Sequence, residues 1–261
     1  MQTLRLSLTL LFSFLAVGAI AQEKFPTIHI QGDTLISFTG WNVQLNRQGF
    51  PEQIRTYFGP DARDTTDQPT VILAENVHFH FFNQIDGKDI RLKGGGLTIT
   101  KSYPYQVLWK ATSTSEILNM DVTGSLQVDS YMQFAVKVTA LQDVDLKDVV
   151  MHIPFQKDVA RSMLGLGRQV STAIDTSVYH WKWNPARKDW DWAVIGTVNA
   201  GLRYSLAPRD VWLNDGKGGI DIGIKGKSML ANNYSGERHL RKGDSIEFDF
   251  TLTIMPYEIK K

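Results

Sequence analysis

The feature that most limits what this chain can fold into is a side-chain period of two that returns along its length. Ile246, Phe248, Phe250, Leu252 and Ile254 alternate with Glu247, Asp249, Thr251 and Thr253, and Met132, Phe134, Val136 and Val138 alternate with Gln133, Ala135, Lys137 and Thr139. Successive side chains of a strand point to opposite faces, so each run is a strand with one face buried and one open. Antiparallel sheets tolerate that arrangement, whereas the strands of parallel sheets are buried on both faces.

The rest of the chain is punctuated in the same way. TIHIQ and LISFTG are separated by Gly32-Asp33; WNVQLN and PEQI flank Gly49, with Pro51 beyond the turn, and together read as a hairpin. Residues 59–69, GPDARDTTDQP, read as an exposed loop, and Lys93 to Gly96 as a turn. The segments YQVLWKATS, EILNMDVTGSLQV, VVMHIPF, AGLRYSL, Ile220 to Ile224 and SMLANNYSG read as further strands, the fourth residue from Met151, Pro154, stopping its own. Only Lys157 to Leu164 looks helical, for about two turns. About fifteen short strands with no recurring helix predict an all-β fold, a large supersandwich-like antiparallel β sandwich of two sheets with at most one short helix.

The N-terminus MQTLRLSLTLLFSFLAVGAIA carries one basic residue, an apolar run and Ala19-Ile20-Ala21, which reads as a signal peptide cleaved after Ala21. The expectation is a secreted or periplasmic protein with residues 22–261 as a single domain and no membrane span. Removing residues 1–21 takes away Arg5 and no acid, which brings the formal net charge from +1 to zero. Nucleic-acid partners call for a basic stripe, so none is expected. With no cysteine, an exported chain gets no help from disulfides and must rely on its core.

Residues Gly165 to Leu206 hold four of the seven tryptophans, Trp181, Trp183, Trp190 and Trp192. Two aromatic-alternating runs on either side of Asn184-Pro185 read as a hairpin with His180, Lys182, Asp189 and Asp191 on its outer faces. Indoles stack on sugar rings while amides, acids and guanidinium groups hold hydroxyls. Trp183, Asn184, Arg187, Asp189, Trp190 and Asp191 are therefore the candidate carbohydrate contacts, although such stripes more often face a core. Asp189 and Asp191 are spaced as a glycosidase carboxylate pair would be, but ordinary strands produce such pairs constantly, and no catalytic residue is assigned. His78 and His80 lie two apart on one strand face and could begin a metal site, but spacing identifies no third ligand, so neither metal nor cofactor is expected. Gly165-Leu166-Gly167-Arg168 lacks the third glycine of a dinucleotide loop, and no GxSxG, HExxH or Walker motif is present. The sequon Asn233-Tyr234-Ser235 matters only in a eukaryotic secretory pathway.

Taken in order, NRQGFPEQI, GLGR, HWKWNP, WAVIGTVNAGLRYSL and YSGERHLRKGDSIEFDFTLTIMPY closely resemble the N-terminal β-sandwich domain of family 123-like glycoside hydrolases, found mostly in exported proteins of Bacteroidetes. The resemblance covers nearly all of residues 25–257. It implies an accessory module followed by a (β/α)8 barrel that carries an adjacent Asp-Glu pair and acts on β-linked N-acetylgalactosamine. This sequence runs from FDFTLTIMPY into Glu258-Ile259-Lys260-Lys261 and contains no Asp-Glu pair, so no catalytic residue carries over. The expectation is a non-catalytic module that contacts carbohydrate or scaffolds a glycoside-hydrolase catalytic domain. The alternatives are a small or split hydrolase acting on β-linked amino sugars, and a structural remnant of a truncated enzyme.

Overall fold

The computed structural model describes residues 27–174, 177–183 and 191–256. The expected signal peptide lies outside them. Strands β1 (His29–Gln31), β2 (Leu35–Phe38), β3 (Trp41–Leu45), β4 (Pro51–Phe58) and β5 (Thr65–Val71) form an antiparallel sheet in chain order. They are followed by β6 (His78–Asn83), β7 (Lys93–Tyr103), β8 (Gln106–Thr114), β9 (Leu118–Gln127), β10 (Tyr131–Ala140) and β11 (Val144–Gln156). Next come β12 (Ser162–Gly165), β13 (Arg168–Ala173), β14 (Tyr179–Lys182), β15 (Trp192–Gly196) and β16 (Gly201–Ala207). Among the described residues one short α-helix, α1 (Arg209–Leu213), precedes β17 (Gly219–Lys225), β18 (Ser228–Tyr234), β19 (Arg238–Leu240) and β20 (Ser245–Met255).

The fold is all-β and sandwich-like, with three antiparallel sheets. A nine-stranded sheet runs β13-β12-β15-β16-β20-β10-β9-β8-β7. A six-stranded sheet runs β14-β17-β18-β11-β19, with β6 on the other edge of β11. The two alternating runs that define the sequence pair with each other: Phe134 stands opposite Phe250 and Val136 opposite Phe248, all buried. Their rings and those of the six-stranded sheet meet in the core. Phe134 and Phe250 stack at 4.4 Å, and Phe79 of β6 lies 5.9 Å from Phe248 and 5.6 Å from Phe50 of the β3–β4 turn. The five-stranded sheet joins the same core through Ile36, Val43 and Ile54. It is also tied down by Asn199, whose Nδ2 donates to Phe58 O and whose carbonyl accepts from the fully buried Thr56 hydroxyl.

Four local expectations are corrected. Lys157 to Leu164 is not a helix: Val159 and Ala160 turn back onto Gln156 O, and from Ser162 the chain pairs with β15. The helix lies instead at Arg209–Leu213, where Trp212 is buried beside Phe248. The polar stretch 59–69 is a loop only as far as Asp64, because Thr65–Val71 forms a solvent-facing edge strand on β4. Lys93 to Gly96 lies within β7, where Gly94 and Gly96 bracket a register shift. Pro154 does not stop its strand, since β11 continues to Gln156 and Pro154 O accepts from Ala74 N.

Candidate functional site

The tryptophan-rich stretch is not one hairpin. Tyr179–Lys182 pairs with Ile222–Gly219 in the six-stranded sheet, whereas Trp192–Gly196 lies between β12 and β16 in the nine-stranded sheet. Alternation marked the faces of the first run, but in the second the expected core stripe of Trp192 and Val194 is only half-buried while Ala193 and Ile195 are fully buried, and it carried no information about either run's partners. Trp181 packs against the core and meets Trp183 edge to face at 4.8 Å; Trp183 is only 5% exposed. Trp183 is therefore corrected from sugar contact to core residue. Asp191 is half-buried and its carboxylate lies 2.9 Å from the Arg209 guanidinium, so it is an ion-pair partner that anchors the start of α1. Asn184, Arg187, Asp189 and Trp190 lie outside the described residues.

With Trp181 and Trp183 turned inward, the polar side chains of β14 and its neighbours gather on the opposite face. The register of the six-stranded sheet lines up His78, His152, Asn232, Asp221 and His180 across five strands, β6, β11, β18, β17 and β14. Directly opposed residues share a face, so these five form one polar row. The next row on that face is His80, Val150, Tyr234, Gly219 and Lys182. On the other face, the intervening row Phe79, Met151, Asn233, Ile220 and Trp181 is turned to the core. Asn233, the sequon residue, is fully buried and donates to Met151 O at 3.1 Å, so the folded chain offers no glycan acceptor there.

The two ends of the polar row differ. At the β14 end, the open His180 ring contacts Asp221 at 2.8 Å, and the exposed Lys182 ammonium sits 4.7 Å above the Tyr234 ring. Gly219 is required beneath that ring, because a Cβ there would meet the Tyr234 hydroxyl at 2.5 Å. This end offers a carboxylate, an ammonium, an imidazole and a phenol over one patch.

At the β6 end, three imidazoles converge. His78 Nε2 lies 3.0 Å from His80 Nε2 and 3.2 Å from His152 Nδ1. Each ring is fixed from behind: His78 Nδ1 by Asn76 O at 2.7 Å, His80 Nδ1 by the Asp89 carboxylate at 2.9 Å, and His152 Nε2 by Asn232 Oδ1 at 2.8 Å. Burial, reinforced by the neighbouring His78 and His80, pulls the His152 pKa down to about 4. Burial also lowers that of His78. The third histidine was not found from the sequence because it is brought in by strand pairing, 74 residues beyond His78. The pairing of VHFHFF with VVMHIPF was the only signal that could have revealed it.

A cleft of about 720 Å³ lies elsewhere, between β11, β19 and the turns beside them, and includes Asp143, Asp145, His239 and Asp244. Its carboxylates are engaged locally: Asp145 with His239, Asp143 with Lys242 N, and Asp244 with Arg241 N. They shape turns and do not converge on a common point. No described helix is long and apolar enough to cross a membrane.

Several solved structures superpose on this chain at low identity. The α-N-acetylgalactosaminidase NagBb from Bifidobacterium bifidum, solved with GalNAc, superposes with a TM-score of 0.51 at 8% identity over 86% of this chain and 36% of its own. A putative aldose 1-epimerase from Escherichia coli K12 gives a TM-score of 0.48 at 9% identity over 88% of this chain and 99% of its own. A GalM/aldose epimerase homologue from C. elegans gives the same score and identity over 88% and 98%. At such identities the likeness concerns the fold alone. No curated protein matches the sequence. The family described as glycoside hydrolase 123, third domain, matches residues 28–256, so the family implied by the sequence motifs is the right one, with the domain's place given as third where the resemblance had it N-terminal. By that match, which spans nearly the whole chain, this protein belongs to the glycoside hydrolase 123 third-domain family.

Proposed function

We infer that this chain is an exported, non-catalytic accessory domain that works alongside a glycoside-hydrolase catalytic domain and contacts carbohydrate. The observation that carries the glycoside-hydrolase association is the family match over residues 28–256. Export rests on the N-terminal stretch ending in Ala19-Ile20-Ala21. The non-catalytic reading is favoured by Asp191, whose pairing with Arg209 leaves it poorly placed to act as one of two glycosidase carboxylates.

The place of contact is the open face at the β14 end of the six-stranded sheet. His180, Lys182, Asp221 and Tyr234 supply donors and acceptors for sugar hydroxyls on a rigid, strand-built platform. Asn184, Arg187, Asp189 and Trp190, which follow β14 in the chain, are proposed to extend it. A glycan array that includes N-acetylgalactosamine-containing chains tests the reading. Binding is expected for the wild type and is expected to weaken in Trp190→Ala and Arg187→Ala. Absence of binding across the array would remove the carbohydrate part while leaving the family assignment intact.

A further inference from the structure

We propose that His78, His80 and His152 form a binding site for a divalent transition-metal ion of the zinc class, with one coordination position left open to solvent or to an oxygen ligand. The reading is independent of carbohydrate contact. Three observations carry it.

The first is geometric. Nitrogens that share a tetrahedral zinc ion at about 2.0–2.1 Å stand about 3.3 Å apart. The two inward separations from His78 Nε2, 3.0 and 3.2 Å, are close to that, and a ligand atom from each of the three rings lies within 4.8 Å of the others.

The second is the hydrogen-bond inventory. A neutral imidazole has one N–H and one lone pair. Asn76 O, the Asp89 carboxylate and Asn232 Oδ1 are all acceptors, so each takes the N–H of its ring. That arrangement turns three lone pairs inward with no donor between them. A cation at the centre resolves the conflict. Outward N–H groups held by carboxylate or carbonyl oxygens are also the usual support of metal-binding histidines. Asp89 is itself fixed, because its second oxygen accepts from Phe81 N at 3.0 Å.

The third is access. A cleft of about 380 Å³, lined by His78, His80, Asp89, Glu75 and Arg91 among others, opens beside the rings. Closed structural zinc sites take four protein ligands, whereas three histidines with an accessible fourth position leave room for water or a ligand oxygen. Imidazole donors suit zinc, copper or nickel over magnesium or calcium.

The test is calorimetric titration of the untagged, chelator-treated chain with Zn²⁺, with Co²⁺ absorption as a second readout. One ion per chain is expected, with the visible bands of four-coordinate cobalt. His80→Gln and His152→Gln should each weaken binding at least 100-fold, and Asp89→Asn, which removes only the support behind His80, about 10- to 100-fold. His29→Gln and His239→Gln, far along the chain from the cluster, should bind as wild type. Lack of saturable one-to-one binding overturns the site, as does wild-type affinity in folded His80→Gln and His152→Gln chains. If those two variants fail to fold, wild-type affinity in folded Asp89→Asn is the contradicting result.

Discussion

Gly124 stands directly opposite Trp109 on the neighbouring strand, and the buried indole occupies the space that a side chain at 124 would need: a Cβ there would lie 2.1 Å from Trp109 Cε2. The ring is fully buried and its Nε1 donates to Gly49 O at 2.9 Å, so it has little freedom to move aside. Gly124→Ala should therefore cost about 3 kcal/mol, roughly 6–12 °C in Tm. Thermal unfolding followed by circular dichroism measures this, and a loss of under a degree would show that the core at β8 and β9 is loosely packed.

Trp183 should behave as a core residue and not as a sugar platform. It is 5% exposed and lies in the same cluster as Trp212 and Tyr204. Trp183→Ala should cost about 3–5 kcal/mol, while Trp183→Phe should cost less because it retains most of the buried ring. Urea unfolding gives the first quantity. Glycan affinity of the folded Trp183→Phe chain gives the control, which should equal wild type; a selective loss of affinity would return the indole to the binding surface.

Acid should destabilise the metal-free chain through the histidine cluster. Above pH of about 6.5 His152 is neutral in both folded and unfolded chains and contributes no pH dependence. As pH falls from there towards 4 the unfolded chain takes up a proton that the buried ring, with its pKa near 4, does not, so stability declines across that window and levels off below it. The full effect is on the order of 3 kcal/mol, and His78, also lowered, acts in the same direction. Urea midpoints of the chelator-treated chain at pH 7, 5.5 and 4.5 should show the decline, and His152→Asn should flatten it. An equal slope in the variant would place the acid sensitivity elsewhere.

Much of the fold could be read from the residues because one-sided burial writes itself as alternation. Met132 to Val138 and Phe248 to Ile254 lie in strands whose apolar side chains are buried as expected, with Ile246 half-buried at the strand's start, and Gly49 with Pro51 marks a real hairpin. What could not be read was which strand pairs with which. The tryptophan runs at 181 and 192 look adjacent in sequence, yet they enter different sheets. The polar row from His78 to His180 joins residues from β6, β11, β18, β17 and β14, and no spacing in the sequence encodes a register assembled from five distant strands. Glycine-rich 93–96 and polar 65–71 misled for the complementary reason: edge and bulged strands bury little, so they lack the apolar signature.

The open face at the β14 end of the six-stranded sheet is proposed to contact carbohydrate. The most direct measurement is calorimetric titration of the best array glycan into wild type, Lys182→Ala, Asp221→Asn and, as a control on the exposed side of the nine-stranded sheet, Lys110→Ala. A hydrogen bond to a charged group contributes about 1.5–3 kcal/mol, so each face variant should lose roughly tenfold or more in affinity with its Tm nearly unchanged. Lys110→Ala should bind as wild type. Undiminished binding by both face variants, or no binding by the wild type, would rule out sugar contact on this face.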